Sequence, residues 1–160
     1  MNDTIESGMD FLSVNLQHYI DAQRLVRDNV TSELRRGKKE THWMWYVFPQ
    51  IRGLSYGYNF MSQRYDIVSP DQARAYLSHP DLGPQLREWT ELVFQHDNLT
   101  ATDIFGTVDA MKFQSSMTLF YAIDEPRNNL FGRTLDKFYE GVLCQKTAEW
   151  INLYVCIESQ

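Results

Sequence analysis

Two segments of the chain combine aromatic, basic and hydroxyl side chains in a way that suits ligand chemistry. The first covers residues 37–54 and reads GKKETHWMWYVFPQIRGL. Phe48 precedes Pro49, which favours extended backbone, and alternate residues of an extended segment face opposite sides. One side would then carry His42, Met44, Tyr46 and Phe48, and the other Trp43, Trp45, Val47 and Pro49.

This first segment predicts a ligand site if its rings border a cavity. Aromatic faces hold a planar base, a cation meets a phosphate, and an amide binds a polar edge. The alternative is that the rings fill the core while the basic residues end the preceding helix. Residue types leave both interpretations open. The candidate ligand-binding residues here are Lys38, Trp43, Trp45, Tyr46, Gln50 and Arg52.

The second segment covers residues 109–120 and reads DAMKFQSSMTLF. Ser115 and Thr118 share a helix face, and Lys112 lies about one turn before Ser115. Such hydroxyl groups can bind a ligand, or they can bond back to the carbonyl four residues earlier. A serine nucleophile is not indicated, because no histidine lies near in sequence and no GxSxG elbow is present. The candidates here are Lys112, Ser115, Ser116 and Thr118.

Sequence signatures of the common cofactor and metal sites are missing. The chain has no GxGxxG, Walker or HExxH motif and no zinc-type spacing of Cys and His. Cys144 and Cys156 lack CxxC spacing, which favours free thiols in a reducing compartment. We therefore expect neither a cofactor nor a metal.

Composition predicts a globular protein in the cytoplasm. The chain has 160 residues, of which 43% are hydrophobic and 14% aromatic, enough for a single core. We predict one domain over residues 1–160, with residues 1–12 as a loosely packed tail. No uncharged run reaches the roughly 20 residues of a membrane helix, and no secretory signal is visible. The net charge of −6 argues against general nucleic-acid binding, because phosphate neutralisation needs cations.

Helical periodicity dominates and predicts an all-α, single compact multihelical domain, with the short extended aromatic segment inside it. A stripe of apolar residues predicts a first helix from Leu16 to Leu34, capped by Ser13 or Asn15 and ended by Gly37. Further helices are predicted to begin at the capping box from Ser69 to Gln72, near Pro84, at Asn128 and at Thr147. A single helical turn capped by Thr102 and a helix from Asp109 to Ile123 are also predicted.

Three strings resemble the signature blocks of a bacterial family, the domain-of-unknown-function family 1810. They are residues 37–54, AYLSHPDLGPQL at residues 75–86 and KFQSSMTLF at residues 112–120. The resemblance covers about Leu16 to Tyr139. Genome annotation sometimes labels this family calpastatin, but calpastatin inhibitory segments are largely disordered, unlike this aromatic-rich chain. The family usually reads Gly-Leu-Gly after the FPQ string, whereas this chain reads GLS at residues 53–55.

A second resemblance is to the NADAR family, which is linked to NAD and ADP-ribose metabolism and cleaves N-glycosidic bonds. It rests on QHYIDAQ at residues 17–23, YLSHPDL at 76–82 with Thr90, and DIFG at 103–106. The resemblance implies a helical scaffold around a nucleotide-sugar pocket. The family's glutamate in the first helix is Gln17 here, and its tryptophan before glycine is Phe105. Because glutamine cannot act as a general base, either Asp103 or Asp21 would have to serve, or catalysis is absent.

Two expectations of function follow. The first is a hydrolase of N-glycosidic bonds in nucleotide or ADP-ribose-type small molecules. In it, His42 would position or protonate the leaving group, and Asp103 would stabilise positive charge on the sugar or orient water. The stacking rings would be Trp43, Trp45 or Tyr46, and the phosphate-binding cations Lys38, Arg52 and Lys112. The alternative is a non-catalytic small-molecule or protein-binding regulatory module, which the missing glutamate favours.

Overall fold

The computed structural model describes residues 16–54 and 60–158, with side chains as far as Tyr154, and these ranges are all-α as predicted. The nine helices within them are α1 Gln17–Arg36, α2 Met44–Val47, α3 Phe60–Tyr65, α4 Pro70–Ser78, α5 Leu82–Phe94, α6 Ala101–Phe105, α7 Thr107–Ile123, α8 Leu130–Tyr139 and α9 Gln145–Glu158. The predicted tail and the predicted caps Ser13 and Asn15 lie outside the described residues. No helix in these ranges combines the length and the apolar character needed to cross a membrane.

Helix α7 is the centre of the core. Its residues from Phe113 to Phe120 are buried with the exception of Gln114, and a helix that is buried on all sides belongs inside a protein. It contacts α4, α6, α8 and α9. Helix α1 instead buries one stripe of residues and ends at Gly37, whose φ of 78° is the left-handed conformation predicted for a C-cap.

The predicted starts of α6 and α7 are wrong: a different side chain caps α6, and α7 begins directly after Gly106 without a side-chain cap. Thr100, not Thr102, caps α6. The Thr100 hydroxyl accepts a hydrogen bond from the backbone N of Asp103, and the Asp103 carboxylate accepts one from the backbone N of Thr100. Helix α7 then begins at Thr107, so that Asp109 lies inside its first turn rather than before it.

The predicted start at Ser69 is confirmed, since the Ser69 hydroxyl accepts a hydrogen bond from the backbone N of Gln72. Helix α5 begins at Leu82, slightly before the predicted position near Pro84. The reason is that Nδ1 of His79 accepts hydrogen bonds from the backbone N–H groups that open this helix. Helices α8 and α9 begin within two residues of their predicted positions.

The aromatic segment is not extended throughout but contains the helical turn Met44–Val47. Trp43 and Phe48, on either side of the turn, have non-helical backbone. Further on, Ile51 and Ile67 form a parallel β-bridge. The predicted alternation of two faces is wrong, because consecutive side chains of a helical turn are about 100° apart instead of about 180°.

The carboxylate of Glu33, buried near the end of α1, fixes the path into this turn. Its Oε1 accepts hydrogen bonds from Glu40 N at 2.6 Å, Thr41 N at 2.9 Å and Trp43 Nε1 at 3.1 Å. Its Oε2 accepts one from the Thr41 hydroxyl at 2.6 Å. Burial raises the pKa of Glu33, but the four hydrogen bonds favour the charged form more strongly and hold the pKa below its ordinary value.

Replacing Glu33 with Gln should lower the free energy of unfolding by about 1–3 kcal/mol, because hydrogen bonds to a charged acceptor are lost. Folding lowers the pKa of Glu33, so its contribution is complete above the unfolded-state value of about 4.3. The contribution is lost as the pH falls through the folded-state value. Urea unfolding of wild type and Glu33→Gln at about pH 7 and about pH 3 measures this dependence.

The control for this prediction is Glu40→Gln, since the ion pair of Glu40 with Arg36 is exposed and 3.8 Å long. Exposed pairs contribute little to stability, so the control should unfold as wild type does. A difference between wild type and Glu33→Gln that is equally large at both pH values would contradict the assignment.

Gly83, in the first turn of α5, lies against the backbone at the end of α4. A Cβ at this position would be 2.1 Å from the carbonyl oxygen of Leu77. Gly83→Ala should therefore destabilise the protein by about 1–3 kcal/mol, although helix propensity alone favours alanine by about 1 kcal/mol. Thermal unfolding checks this, with Gln85→Ala as the control in the same helix. An unchanged or raised melting temperature for Gly83→Ala would show that α4 moves aside freely.

Candidate functional site

A polar cleft of 590 Å³ lies between the first turns of α1 and the segment around the end of α3. Its size is in the range of small-molecule sites. Two arginines, two carboxylic side chains and a histidine face this volume, a combination that suits anion binding and acid–base chemistry. The lining residues are His18, Asp21, Arg52, Arg64, Asp66, Val68 and Gln72.

Asp66 is the acid–base candidate of the cleft. It directly follows α3, where its backbone N donates to Ser62 O at 2.9 Å, and its neighbour Ile67 is held in the β-bridge. The side chain is half-buried. Burial raises the pKa of Asp66 to about 7, although the positive charges of Arg52 and Lys112 act to lower it. A carboxyl group that exchanges its proton near neutral pH is suited to general acid–base chemistry.

The buried ring of Tyr65 positions two basic side chains of the cleft. His18 stacks on it with ring centroids 5.4 Å apart, and the guanidinium of Arg64 lies over it at 5.7 Å. Burial, reinforced by the charge of Arg64, lowers the pKa of His18, which favours its neutral ring at pH 7. Arg52 is fixed separately, because its guanidinium donates to Gln63 O at 2.6 Å.

Asp21 supplies the second carboxyl group of the cleft from the wall that α1 forms. It is exposed and accepts a hydrogen bond from Gln17 Nε2 at 3.0 Å, one turn earlier. The cleft therefore contains one half-buried carboxyl, that of Asp66, and one well-solvated carboxylate. The two carboxyl groups of the cleft therefore differ in their exposure to solvent.

A cluster of ion pairs lies between the chain after α1 and the cleft. Lys39 pairs with Asp109 at 2.9 Å, and Asp109 pairs with Lys112 at 3.6 Å. The ammonium of Lys112 lies 5.3 Å from the ring centroid of Trp45, and its charge acts on Asp66. Asp109 thus pairs with both lysines and leaves a net positive charge in this cluster, which acts on Asp66 through Lys112.

The aromatic rings predicted to stack on a ligand lie mostly in the core. Trp43 is fully buried, and Tyr46 is buried with its hydroxyl donating to His42 O at 3.4 Å. Trp45 is half-buried under the ammonium of Lys112. Lys39 lies over the ring of Trp43 in the same way, but of these three rings only that of Trp45 is partly exposed.

The predicted catalytic residues do not line the cleft. His42 is exposed, as is Lys38, and Asp103 is engaged in the helix cap of α6. Among the predicted cations, Arg52 lines the cleft directly and Lys112 acts on it through its charge. The structure therefore brings the phosphate-binding candidates Arg52 and Lys112 together near one carboxyl group and leaves the predicted acid and base elsewhere.

The hydroxyl groups of Ser115 and Thr118 bond within the protein, as in the alternative that their spacing left open. Ser115 Oγ donates to Met111 O at 3.1 Å, and Thr118 Oγ1 donates to Gln114 O at 2.8 Å. The Thr118 hydroxyl also accepts a hydrogen bond from Cys144 N at 3.0 Å. Ser115 Oγ also lies 3.2 Å from Cys144 Sγ, so both residues attach the chain just before α9 to α7.

Two other predicted site residues each have a buried polar atom without a hydrogen-bond partner among the described residues. They are the amide oxygen of Gln50 and the hydroxyl of Ser116. Ser116 lies one turn after Lys112 on the same face of α7, and the backbone carbonyl of Gln50 accepts a hydrogen bond from Ile67 N at 2.8 Å.

Sequence reasoning does not single out Asp66, Arg64 or His18, and it gives Asp21 only as one alternative carboxylate. The available signal is the order Tyr65, Asp66, Ile67, in which an acidic residue stands between two core-forming types. Such a residue is held at the edge of the core, where burial alters its pKa. Within the described ranges, no group of three His, Cys, Asp or Glu side chains is arranged to hold a metal ion.

Comparison with known proteins agrees with the first family resemblance. The family model described as protein of unknown function (DUF1810) matches residues 13–151, so the chain belongs to this family. A similar solved structure is the crystal structure of the conserved hypothetical protein Rv1873 from Mycobacterium tuberculosis, which is 41% identical. The TM-score is 0.80, with 84% of this chain and 94% of that chain covered. No curated protein matches, and the similarity to NADAR stays a prediction.

The carboxyl group of Asp66 should titrate with a midpoint near pH 7, well above the value of about 3.9 for free aspartate. Carboxyl-detected NMR, with Asp66→Asn to assign the signal, measures the midpoint. Lys112→Met should raise the pKa of Asp66 further, because the ammonium favours the charged carboxylate, whereas the exposed Arg24→Met should leave it unchanged. A midpoint near 4 in the wild type would refute this prediction.

The same shift predicts how stability depends on pH. Folding raises the pKa of Asp66, so the protonated form stabilises the folded state most at low pH. That stability is lost as the pH rises from about 4 to the folded-state value of about 7. Asp66→Asn should remove this loss, which urea unfolding at several pH values measures. If the loss is as steep in Asp66→Asn as in wild type, another group is responsible.

Proposed function

We propose that this protein hydrolyses the N-glycosidic bond of a small phosphorylated molecule of the nucleotide or ADP-ribose type, in the cleft. The observation that carries the proposal is the half-buried carboxyl of Asp66, with its pKa of about 7, in a cleft with Arg52 and within reach of the charge of Lys112. Such a group retains its proton through part of the neutral range and donates it to a leaving group.

Glycoside hydrolases commonly use a pair of carboxyl groups, one as the acid and one as the base. In the proposed step the C–N bond breaks, its electron pair goes to the leaving nitrogen, and Asp66 supplies the proton that this nitrogen takes up. Water adds to the sugar carbon, and its proton passes to Asp21. The Asp21 carboxylate also stabilises the positive charge that develops on the sugar.

The phosphate of such a substrate would bind to the two arginines of the cleft. Arg52 and Arg64 are both exposed, and each is already oriented, Arg52 by Gln63 O and Arg64 by the ring of Tyr65. A guanidinium group binds phosphate through two parallel hydrogen bonds. Orientation before binding reduces the entropy that the side chains lose.

One observation favours the second candidate function, a non-catalytic module that binds a small molecule or a protein segment. Asp21 is exposed. The described residues of the cleft therefore leave this second carboxylate in contact with solvent. Hydrolases commonly exclude bulk water from the reacting groups. The cleft would then bind its ligand through the same arginines without turning it over.

Mixing the protein with ADP-ribose, NAD and ribonucleoside monophosphates should give both a rise in melting temperature and release of the base. Asp66→Asn should bind as wild type does but lose roughly 100-fold or more in turnover, because a general acid contributes about that factor. Thermal shift measures binding, and chromatography of the products measures turnover.

His42→Ala is the matched control. His42 is exposed, and the sequence alone predicts that it positions or protonates the leaving group. Full turnover in His42→Ala together with loss in Asp66→Asn supports the present assignment. Normal turnover in Asp66→Asn would exclude Asp66 as the acid. A thermal shift with no product from any substrate would favour the binding module.

A further inference from the structure

A second cavity adjoins the cleft on the other side of Arg52. It has a volume of 290 Å³ and lies between the residues after Gln50 and helix α9. Arg52 lines both cavities. The walls of this second cavity, here called the α9 groove, include the apolar side chains Leu54, Trp150 and Leu153.

Trp150 presents a partly exposed indole ring in this groove. The ring is held edge-on by Tyr154, with centroids 4.9 Å apart, and the Tyr154 hydroxyl donates to Val68 O at 3.3 Å. Val68 also lines the polar cleft. Tyr154, which packs against the indole, is therefore hydrogen-bonded to a residue of the candidate site. A supported, partly exposed indole is a suitable stacking surface for a planar ring.

Polar groups of α9 lie at the edge of the same groove. Lys146 and Glu149 line it and are both exposed. An ammonium donates hydrogen bonds and a carboxylate accepts them, so the pair can bind an acceptor, such as a ring nitrogen, and an amino group on the edge of a heterocyclic base. By contrast, Trp43 and Tyr46 are buried in the core and have no open face for stacking.

Resting on the proposed function, we propose that the α9 groove binds the heterocyclic base of the substrate against Trp150, while the phosphate binds in the polar cleft. Arg52, between the two cavities, would then lie beside the sugar–phosphate portion. Two observations support this occupant: Arg52 lines both cavities, and the lining changes from polar in the cleft to more apolar in the α9 groove. A nucleotide changes in the same direction, from a charged phosphate to a planar base with apolar faces. The substrate class is accordingly a phosphorylated nucleoside rather than a sugar phosphate alone.

The test compares a nucleoside monophosphate, AMP, with ribose 5-phosphate, which lacks the base. Trp150→Ala should weaken the binding of AMP about 5- to 100-fold, the range expected for loss of one stacking contact, and should leave the affinity for ribose 5-phosphate unchanged. Trp150→Phe should retain most of the AMP affinity. Isothermal titration calorimetry measures both ligands on each variant and on the wild-type groove, all carrying Asp66→Asn so that AMP binds without being hydrolysed.

A second variant keeps the test valid if Trp150→Ala does not fold. Leu153 is 60% exposed, so Leu153→Asp leaves the core intact and places a negative charge in the α9 groove. It should weaken AMP binding and not ribose 5-phosphate binding, whereas Leu25→Asp, at a residue 86% exposed on α1, should weaken neither.

The outcomes separate this inference from the function on which it rests. If the Trp150 and Leu153 variants bind AMP as tightly as wild type does, the base lies elsewhere and the inference is overturned, while binding in the cleft stands. If wild type binds neither ligand, the proposed function and this inference both fail. Equal weakening of both ligands would also overturn the inference, because it would show general damage rather than loss of a base contact.

Discussion

The carboxylate of Glu33 is almost completely buried, yet three N–H groups and one hydroxyl of the segment after α1 surround it and keep it charged. A buried charge is tolerable only with such partners. This requirement determines where the chain goes after α1: the segment must return to the helix that it has just left. Its return places Lys39 against Asp109 at the start of α7 and Trp43 in the core.

From this constraint the position of the cleft follows in two further steps. The chain continues through the turn of α2 to Ile51, whose bridge to Ile67 places Arg52 and Asp66 at the same edge of the core. Tyr19 of α1 then donates a hydrogen bond to Tyr65 O at 2.5 Å, which brings α1 alongside. The bridge is formed by backbone groups, and the Tyr19 hydrogen bond is buried. Neither contact needs a ligand, so the cleft residues are arranged before binding, as precise binding requires.

Much of the fold follows from local patterns, whereas most of the site does not. The helix end at Gly37 and the start at Ser69 depend on a few neighbouring residues, and both are as the sequence predicts. The choice between Thr100 and Thr102 as a cap is already harder, because two residues of the same type compete and only the reciprocal bond to Asp103 decides.

For the site, residue type is ambiguous because the same side chains serve packing and binding. By residue type, a ligand site is expected at the rings of Trp43 and Tyr46 and at the hydroxyl groups of Ser115 and Thr118. The rings are buried, and the hydroxyl groups donate to nearby carbonyls, so all four belong to the core. Asp66 shows the opposite case. Its local sequence indicates only a position at the edge of the core, because its pKa also depends on the charges of Arg52 and Lys112 from distant segments.

The sequence by itself determined the all-α class, the family and several helix ends, because periodicity, capping and motif strings act over one or two turns of chain. Only the tertiary structure decided which charged and aromatic groups meet. The physical reason is that desolvation and Coulomb interactions depend on distance in space. Arg52, Asp66 and Lys112 are separated along the chain and become neighbours only when the core forms.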